Sequence, residues 1–357
     1  MAIKKLNINE FLKLAVTFPI MDVRSPGEYE QAHIPGAVSL PLFTDEERKV
    51  VGTLYKQKGR QDAIKAGVDF FGPKMRSMVT AVEDVLAARR QGGNKALIHC
   101  WRGGMRSGAV AWLLDLYGFE VYTLEGGYKA FRNWCLSKFN EHYPIRLLGG
   151  FTGSGKTTTL KALAVSGEIT IDLEAIAGHK GSAFGDIEGV IQPTQEMFEN
   201  LLAVALGTAH EQAELKHERI WIEDESQRIG SVNLPISFWN TMRASPLFFL
   251  DIPFEERLDN IVAEYGKIKT DRLINAIVRI RKRLGGLDAK NATNLAVEGD
   301  VKGCFSILLH YYDKHYQKSL VNRENLDTLL TKISCPTTDP QSNSKTIKQL
   351  KLPVNGA

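Results

Sequence analysis

Apolar and polar residues alternate along the chain in blocks that predict strands followed by loops and helices. Short apolar runs, typical of buried strands, lie at residues 18–23, 95–99, 145–149, 168–173, 220–223 and 247–252. Stretches that read as helices lie at residues 8–16, 75–90, 108–116, 194–215, 254–265 and 271–284. This order predicts an α/β fold on parallel sheets, with functional loops at the carboxyl ends of the strands.

The strand–loop–helix alternation starts twice, which predicts two domains. We expect the first domain at residues 8–138 and the second, with further helices toward its C-terminus, at residues 144–336. Residues 45–72 contain many charged residues and several glycines, and they are predicted to be an insertion. Residues 337–357 are polar and contain two prolines, so a loose C-terminal tail is expected there.

Composition narrows the class of protein. An apolar fraction of 43% and a charged fraction of 24% are typical of a soluble globular protein. No apolar run is long enough to span a membrane, the N-terminus does not resemble a signal peptide, and the four cysteines form no CxxC pair. We therefore expect a cytoplasmic protein without disulfides, zinc or membrane contact. A net charge of only +4 means that any nucleic-acid surface must come from local clustering.

The first candidate for chemistry is Cys100, at the end of a predicted strand and before a glycine-rich turn into a helix. Backbone N–H groups, the helix N-terminus and a nearby Arg102 or Arg106 would each lower the thiol pKa and favour a nucleophilic thiolate. The alternative is a buried cysteine that acts only as a small apolar residue. The predicted anion loop consists of Trp101, Arg102, Gly103, Gly104, Met105 and Arg106.

Residues 22–29 (DVRSPGEY) and 33–37 (HIPGA) resemble the paired N-terminal signature of rhodanese domains. The resemblance implies a rhodanese-like parallel-sheet domain in which Arg24 and Glu28 form a structural pair. Five residues separate Cys100 from Arg106, where simple rhodaneses usually have four. The longer spacing also resembles the signature of cysteine-dependent phosphatases, and it predicts a cradle wide enough for a phosphate-bearing donor.

The second candidate is a phosphate loop in the second domain. Residues 150–157 match G-x-x-x-x-G-K-[ST] between a predicted strand and a predicted helix, which indicates a P-loop NTPase-like domain. Backbone N–H groups and Lys156 would bind a diphosphate, and Thr157 could hold Mg²⁺. The predicted phosphate-binding residues are Gly150, Thr152, Gly153, Ser154, Gly155, Lys156 and Thr157.

Acidic residues follow a later strand, where a group that binds metal or water would lie. Glu223 or Asp224 could take this role, although a solvated acidic loop is an equal alternative. His179, after the preceding strand, is a weaker candidate.

Together these motifs resemble the tRNA 2-selenouridine synthase family over about residues 10–320. The residues that carry the resemblance are 100–107 (CWRGGMRS), 150–157, 172–182 (DLEAIAGHKGS, ending at Ser182) and 223–226 (EDES). Lys180 departs from the pattern, in which arginine is expected, and this leaves a substrate contact open. The resemblance implies that selenium from selenophosphate, carried by Cys100, replaces the sulfur of wobble 2-thiouridine in tRNA. It also implies an intermediate made from geranyl diphosphate, which the P-loop would hold. No tightly bound cofactor is expected.

Independent signs of RNA binding are a basic helical segment and an aromatic residue beside the cysteine. Arg279, Arg281 and Arg283 could contact tRNA phosphates or could form a solvated face. Trp101 could stack on the splayed wobble base of the anticodon loop or pack beneath its own loop.

Two other functions fit the same motifs. One is a rhodanese-fold cysteine phosphatase or sulfurtransferase with an attached nucleotide-binding domain. The other is a nucleotide-gated RNA-binding module in which the rhodanese domain is inert.

Overall fold

The computed structural model describes residues 3–88, 93–181, 191–266 and 268–350. Three sequence predictions reach positions outside the described residues: the end of the helix at Arg90, Ser182 of the third motif, and residues 351–357 of the tail.

The chain divides into two compact units. The first comprises the residues up to Lys138 together with Glu199–Val204, and the second comprises Phe139–Phe198 and the chain from Ala205 onward.

The first unit is built on a sheet in which all neighbouring strands are parallel, in the order β1-β5-β4-β2-β3. Its strands are β1 (Lys4–Leu6), β2 (Ile20–Asp22), β3 (Val38–Ser39), β4 (Lys95–His99) and β5 (Glu120–Leu124). The apolar run in β4 explains its central place, because Ala96, Leu97 and Ile98 are fully buried.

Helices follow the strands of this sheet. They are α1 (Ile8–Ala15), α2 (Pro26–Gln31), α3 (Asp45–Gln57), α4 (Arg60–Phe71), α5 (Met75–Ala88), α6 (Met105–Tyr117) and α7 (Gly127–Lys138), with a 3₁₀ turn at Gly72–Lys74. Local sequence sets several of their starts: α1 begins with a capping box between Asn7 and Glu10, and α2 begins with one between Ser25 and Glu28. The core contains Val110 and Leu114 from the inner face of α6.

The second unit has its own parallel sheet, in the order β12-β11-β6-β8-β7. From Phe139 onward the strands are β6 (Ile145–Gly150), β7 (Ile169–Ile171), β8 (Ile220–Glu223), β9 (Arg228–Ile229), β10 (Val232–Asn233), β11 (Leu247–Asp251) and β12 (Leu330–Ser334). β9 and β10 form a separate antiparallel pair. Glu223 lies beside Leu148 and Gly150 beside Leu250, so the carboxyl ends of β6, β8 and β11 meet at one edge.

The helices after β6 are α8 (Lys156–Val165), α9 (Leu173–Ala177), α10 (Gln195–Lys216), α11 (Ile236–Arg243), α12 (Phe254–Tyr265), α13 (Thr270–Leu284), α14 (Gly286–Glu298), α15 (Val301–Val321), α16 (Leu326–Leu329) and α17 (Pro340–Gln349). α12 to α15 share an apolar cluster that includes Leu258, Leu273, Ala292 and Phe305. The structure thus confirms the predicted α/β fold with parallel sheets and C-terminal helices. In the described ranges, no helix combines the length and apolar character that a membrane crossing requires.

Residues 45–72, which the sequence predicts to be an insertion, form α3 and α4, and Thr44 caps α3 with Glu47. The prediction of a loose C-terminal tail is wrong for part of its length. The predicted loose tail contains α17, which begins at a cap formed by Asp339 and buries Ile347. α17 is rich in polar residues, but its cap and a buried face that includes Ile347 stabilise it.

Candidate active sites

The first candidate site is the loop that carries Cys100, in the first unit. Cys100 follows β4 directly, and α6 begins at Met105. The N–H of Tyr128 donates to the carbonyl of Cys100 at 2.8 Å, which fixes one end of the loop. Gly103 has a φ of +64°, and a Cβ there would lie 2.5 Å from the carbonyl oxygen of Leu124. Only glycine tolerates both this positive φ and this close approach, so the shape of the loop depends on glycine at position 103.

The thiol of Cys100 is surrounded by hydrogen-bond donors. Cys100 is 3% exposed, and its Sγ lies 3.2 Å from Oγ of Ser107. Burial raises the pKa of the Cys100 thiol, but hydrogen bonds from the Ser107 side chain and from the N–H groups of Ser107, Arg102 and Gly104 outweigh it and lower this pKa. A thiol with a lowered pKa is the form of cysteine that acts as a nucleophile.

The charged residues around this loop pair differently from the sequence prediction. The predicted pair between Arg24 and Glu28 is wrong: Arg24 is buried and bonds Asp22, with Nη2 2.6 Å from Oδ2. Glu28 instead accepts from Arg106, with Nη1 2.6 Å from Oε2 and Nη2 3.3 Å from Oε1. Arg106 is therefore fixed beside the loop by a residue of α2, a contact between elements that are distant in sequence.

An aromatic residue, Trp101, directly follows Cys100 in the chain. The ring of Trp101 is tilted over the buried ring of Tyr128, with 5.6 Å between centroids, and Trp101 remains 39% exposed. Trp101 thus both packs on its neighbour and offers ring surface to solvent. On the other side of Cys100, burial lowers the pKa of His99 to about 4, so this histidine is neutral near pH 7. Arg102, Gly104 and Met105 are exposed.

The second candidate site is the loop between β6 and α8, in the second unit. Lys156, at the start of α8, donates from Nζ to the carbonyl of Gly150 at 3.0 Å. Ser154 is buried, and its Oγ has no hydrogen-bond partner among the described residues. Gly153 has a φ of +82°, and a Cβ there would lie 2.7 Å from the carbonyl oxygen of Arg257. The loop therefore carries an ammonium group and an unpaired hydroxyl on a backbone that glycine permits.

Two side chains of helix α12 support this loop by donating hydrogen bonds to carbonyl groups of the loop. Arg257 donates to the carbonyl of Thr152 at 3.0 Å, and Asn260 donates to that of Gly153 at 3.0 Å. Arg257 is itself held by both carboxylate oxygens of Asp313 in α15. Because the C=O and N–H of a trans peptide point in opposite directions, the N–H of Gly153 points away from Arg257. The support thus orients the peptide without occupying that N–H.

Three carboxylates gather beside Thr157. Its Oγ1 lies 2.9 Å from Oε2 of Glu174 and 3.0 Å from Oε2 of Glu223. One oxygen from each of Glu174, Glu223 and Glu225 falls within 4.8 Å of the others. Burial and the charges of neighbouring carboxylates raise the pKa of Glu223 well above its usual range, and burial and Glu174 raise the pKa of Glu225 to about 7 although Lys156 opposes the shift.

Such a cluster is suited to a hard divalent cation. Oxygen ligands are those that Mg²⁺ prefers, and a cation would remove the repulsion that raises these pKa values. The residues that would hold it are Thr157, Glu174, Glu223 and Glu225, directly or through water.

The other two candidates, Asp224 and His179, make contacts of their own outside this group of three carboxylates. Asp224 turns to the opposite side, where its Oδ2 accepts from Tyr316 at 2.6 Å and its Oδ1 accepts from Arg323 at 2.6 Å. The structure therefore brings Glu223, and not Asp224, to Thr157. His179 follows α9, and its N–H donates to the carbonyl of Glu174 at 3.0 Å.

Sequence reasoning gave no role to Glu174 and Glu225. Each comes shortly after a strand that ends at the same edge of the sheet, Glu174 after β7 and Glu225 after β8. These two positions could have been identified from the sequence, because residues that follow neighbouring parallel strands meet at the same edge of the sheet.

The predicted basic segment forms α13. Arg279, Arg281 and Arg283 are all exposed on it, while Leu273 and Ile277 are buried. Burial lowers the pKa of His315 in α15, and the charges of Arg283, Lys318 and Lys314 lower it further. Arg283 of α13 thus lies near two lysines of α15.

Comparison with protein families matches both units. A model of the rhodanese-like domain matches residues 7–133, and a model of the tRNA 2-selenouridine synthase AAA domain matches residues 143–332.

Individual proteins give the same result. The chain is 37% identical to the tRNA 2-selenouridine synthase of Sulfurovum sp. (strain NBC37-1), over 84% of this chain and 87% of that protein. It is 35% identical to that of Shewanella pealeana, over 89% of this chain and 93% of that protein. It is 41% identical to that of Nitrosomonas europaea, where the aligned part covers 69% of this chain and 63% of that protein.

Proposed function

Because this chain belongs to the tRNA 2-selenouridine synthase family, we propose that it replaces the sulfur of 2-thiouridine at the wobble position of tRNA with selenium. We propose that the reaction takes place in the cytoplasm, with selenophosphate as the selenium donor and a geranylated 2-thiouridine as the intermediate.

Cys100 is the nucleophile that acts on the selenium donor. The observation that carries this proposal is the ring of donors around its sulfur: the Ser107 hydroxyl at 3.2 Å and the N–H groups that lower the thiol pKa. These groups stabilise negative charge at the sulfur before reaction and would stabilise an anionic donor bound against it. The partly exposed side chain of Trp101, the residue that follows Cys100, is suited to stacking against an unpaired base.

The P-loop binds geranyl diphosphate. The sulfur of 2-thiouridine attacks the geranyl carbon, the carbon–oxygen bond breaks, and diphosphate leaves with the electron pair. Lys156 and the N–H groups of the loop bind the diphosphate, and the unpaired hydroxyl of Ser154 lies on the same loop. A magnesium ion held by Thr157 and the neighbouring carboxylates would neutralise part of its charge.

The basic surface of α13 binds tRNA phosphates. Arg279, Arg281 and Arg283 are exposed on one helix, and Lys314 and Lys318 of α15 lie close enough to act on His315 together with Arg283. Phosphate contacts of this kind position RNA without reading its sequence.

The proposed function is tested by mass spectrometry of tRNA nucleosides. Cells that lack the protein are supplied with selenite and complemented with the wild type, with Cys100→Ser or with Cys135→Ala. We expect 2-selenouridine with the wild type and with Cys135→Ala, and none with Cys100→Ser, because a hydroxyl is a far weaker nucleophile than a thiolate. Normal 2-selenouridine with Cys100→Ser would remove Cys100 from the mechanism, and none with the wild type would reject the proposed function.

A further inference from the structure

The donors around Cys100 have the arrangement that a tetrahedral anion needs. N–H groups of Arg102, Gly104 and Ser107, at three positions between the end of β4 and the first turn of α6, donate to the sulfur, and the Ser107 hydroxyl lies 3.2 Å from Sγ. A group bonded to this sulfur would lie within the same ring of donors. Several backbone donors around one point form a nest for an anion with more than one oxygen.

Arg106, which lies between Gly104 and Ser107 in the chain, adds a planar cation to this loop. It lies after five intervening residues, and Glu28 holds its two terminal nitrogens at 2.6 and 3.3 Å. Arginine has five N–H groups, so three remain after these two bonds. A guanidinium fixed in this way is prepared to bind phosphate oxygens as well as to hold the loop.

The chemistry of the donor separates two modes of attack. In a selenophosphate, selenium is bonded to phosphorus(V) and is already at the oxidation level of selenide. Placing it on a cysteine as a perselenide would require its oxidation by two electrons, or the release of phosphorus as phosphite. Attack at phosphorus requires neither an oxidant nor a reductant.

We propose that Cys100 attacks the phosphorus of the selenium donor and becomes phosphorylated, a step that rests on the proposed function for the identity of the donor. The new bond joins Sγ to phosphorus, the phosphorus–selenium bond breaks, and hydroselenide leaves with the electron pair. Water then attacks phosphorus, the sulfur leaves as thiolate, and inorganic phosphate is released. Hydroselenide then attacks C2 of the geranylated 2-thiouridine, the bond from C2 to sulfur breaks, geranylthiolate leaves with the electron pair, and the proton of hydroselenide passes to N3. Cys100 thus liberates selenium and does not carry it.

Ser107 is the positioning residue of both steps. Its Oγ contacts Sγ at 3.2 Å and the carbonyl of Gly104 at 3.2 Å. The hydroxyl stabilises the thiolate first as the nucleophile and later as the leaving group. Ser107→Ala is therefore expected to slow the breakdown of the phosphorylated cysteine, so that this species accumulates.

The test uses selenophosphate labelled with both ⁷⁵Se and ³²P and the full-length protein without tRNA. Reactions are quenched by denaturation, and the peptide that carries Cys100 is isolated. We expect ³²P and no ⁷⁵Se on this peptide, with a larger ³²P fraction in Ser107→Ala. Release of ³²P-phosphate should fall by at least about 10³-fold in Cys100→Ser and stay unchanged in Cys135→Ala.

Two outcomes overturn the proposal: ⁷⁵Se on the Cys100 peptide, or equal phosphate release by the wild type and Cys100→Ser. The same protein is then given tRNA with the geranylated nucleoside, and 2-selenouridine is measured. If 2-selenouridine forms while ⁷⁵Se lies on Cys100, the proposed function stands and attack at phosphorus is rejected. If the wild type forms no 2-selenouridine, the proposed function itself fails.

Discussion

The guanidinium of Arg106 and the carboxylate of Glu28 form a two-point ion pair, with Nη1 2.6 Å from Oε2 and Nη2 3.3 Å from Oε1. The pair joins α2 to the start of α6, and Glu28 also caps α2 through Ser25. The carboxylate of Glu28 therefore both caps α2 and holds Arg106, which follows Cys100 by six positions.

This pair predicts that the first unit is sensitive to acid. Burial raises the pKa of Glu28, but the hydrogen bond and charge of Arg106, with Ser25 and Arg48, lower it from 4.5 to about 2. Because the folded pKa is the lower one, the stabilisation is complete above about pH 4.5 and is lost as the pH falls toward 2. Its size at neutral pH is on the order of 3 kcal/mol.

The measurement is the free energy of unfolding in urea between pH 7 and pH 2. The wild type should lose more stability over the acid part of this range than Glu28→Gln, while Glu46→Gln, at an exposed position of α3, should follow the wild type. Parallel curves for the wild type and Glu28→Gln would contradict the prediction.

A second prediction concerns the Cys100 thiol. The side chain of Ser107 is the largest of the hydrogen-bonding influences that lower the pKa of this thiol against burial. Ser107→Ala should therefore raise this pKa and reduce the rate of alkylation by iodoacetamide at neutral pH. The rate is measured as a function of pH, with Cys100→Ser as the blank for the other cysteines. An unchanged pH profile would show that the backbone donors suffice.

The loops of both sites could be predicted from the sequence, but their partners could not. Cys100 lies between an apolar strand and a glycine-rich turn, and Lys156 follows an apolar strand and a glycine-rich turn, so each local pattern fixes a position at the carboxyl end of a strand in a parallel sheet. The partner of Glu28 could not be read in the same way, because Arg106 is distant in sequence and Arg24 is close. At Thr157 the sequence indicated Glu223 but not its neighbours Glu174 and Glu225, which come from two different strand ends.

Edge strands and polar helices were missed for a different reason. β1 and β12 lie at sheet edges and carry exposed positions, so they lack the apolar run that identified β4 and β6. α17 buries only Asn343, Ser344 and Ile347, and its mostly polar sequence predicted a loose tail. Such segments are ordered by tertiary contacts that periodicity does not report.

A third prediction separates two adjacent acidic residues. Glu223 contacts Thr157 at 3.0 Å, whereas Asp224 bonds Tyr316 and Arg323. Glu223→Gln should reduce the gain in diphosphate affinity produced by Mg²⁺ by about tenfold or more. Asp224→Asn should keep that gain and lower the free energy of unfolding. Calorimetric titration of diphosphate with and without Mg²⁺ measures the gain in affinity, and urea unfolding measures the free energy of unfolding. Equal magnesium dependence in the wild type and Glu223→Gln would reject the metal site.

A fourth prediction concerns tRNA binding. Replacing Arg279, Arg281 and Arg283 by glutamate should weaken binding and reduce the slope of log affinity against log salt concentration by roughly one for each lost phosphate contact. Anisotropy titrations of tRNA at several KCl concentrations measure the slope. Lys290→Glu, at an exposed position of α14, is the control for a change of charge outside this surface. If the triple variant keeps the wild-type slope, α13 is a solvated face.

The last prediction assigns Lys156 to the geranyl step alone. Nζ of Lys156 lies 3.0 Å from the carbonyl of Gly150, at the mouth of the loop that would hold the diphosphate. Negative charge develops on diphosphate as its carbon–oxygen bond breaks, and an ammonium group already in place stabilises that charge as it forms. Loss of one such donor typically lowers a rate by about 10²–10³-fold.

Lys156→Ala should therefore fail with tRNA that carries 2-thiouridine and still convert tRNA that already carries the geranylated nucleoside, because Cys100 keeps its own donors on a separate loop. Lys161→Ala is the matched control, since Lys161 lies on the same helix, is 67% exposed and pairs with Asp172. Nucleoside mass spectrometry of the two tRNA substrates after single turnovers distinguishes the steps. Normal geranylation with lost selenation in Lys156→Ala would assign the P-loop to the selenium donor or to a nucleotide.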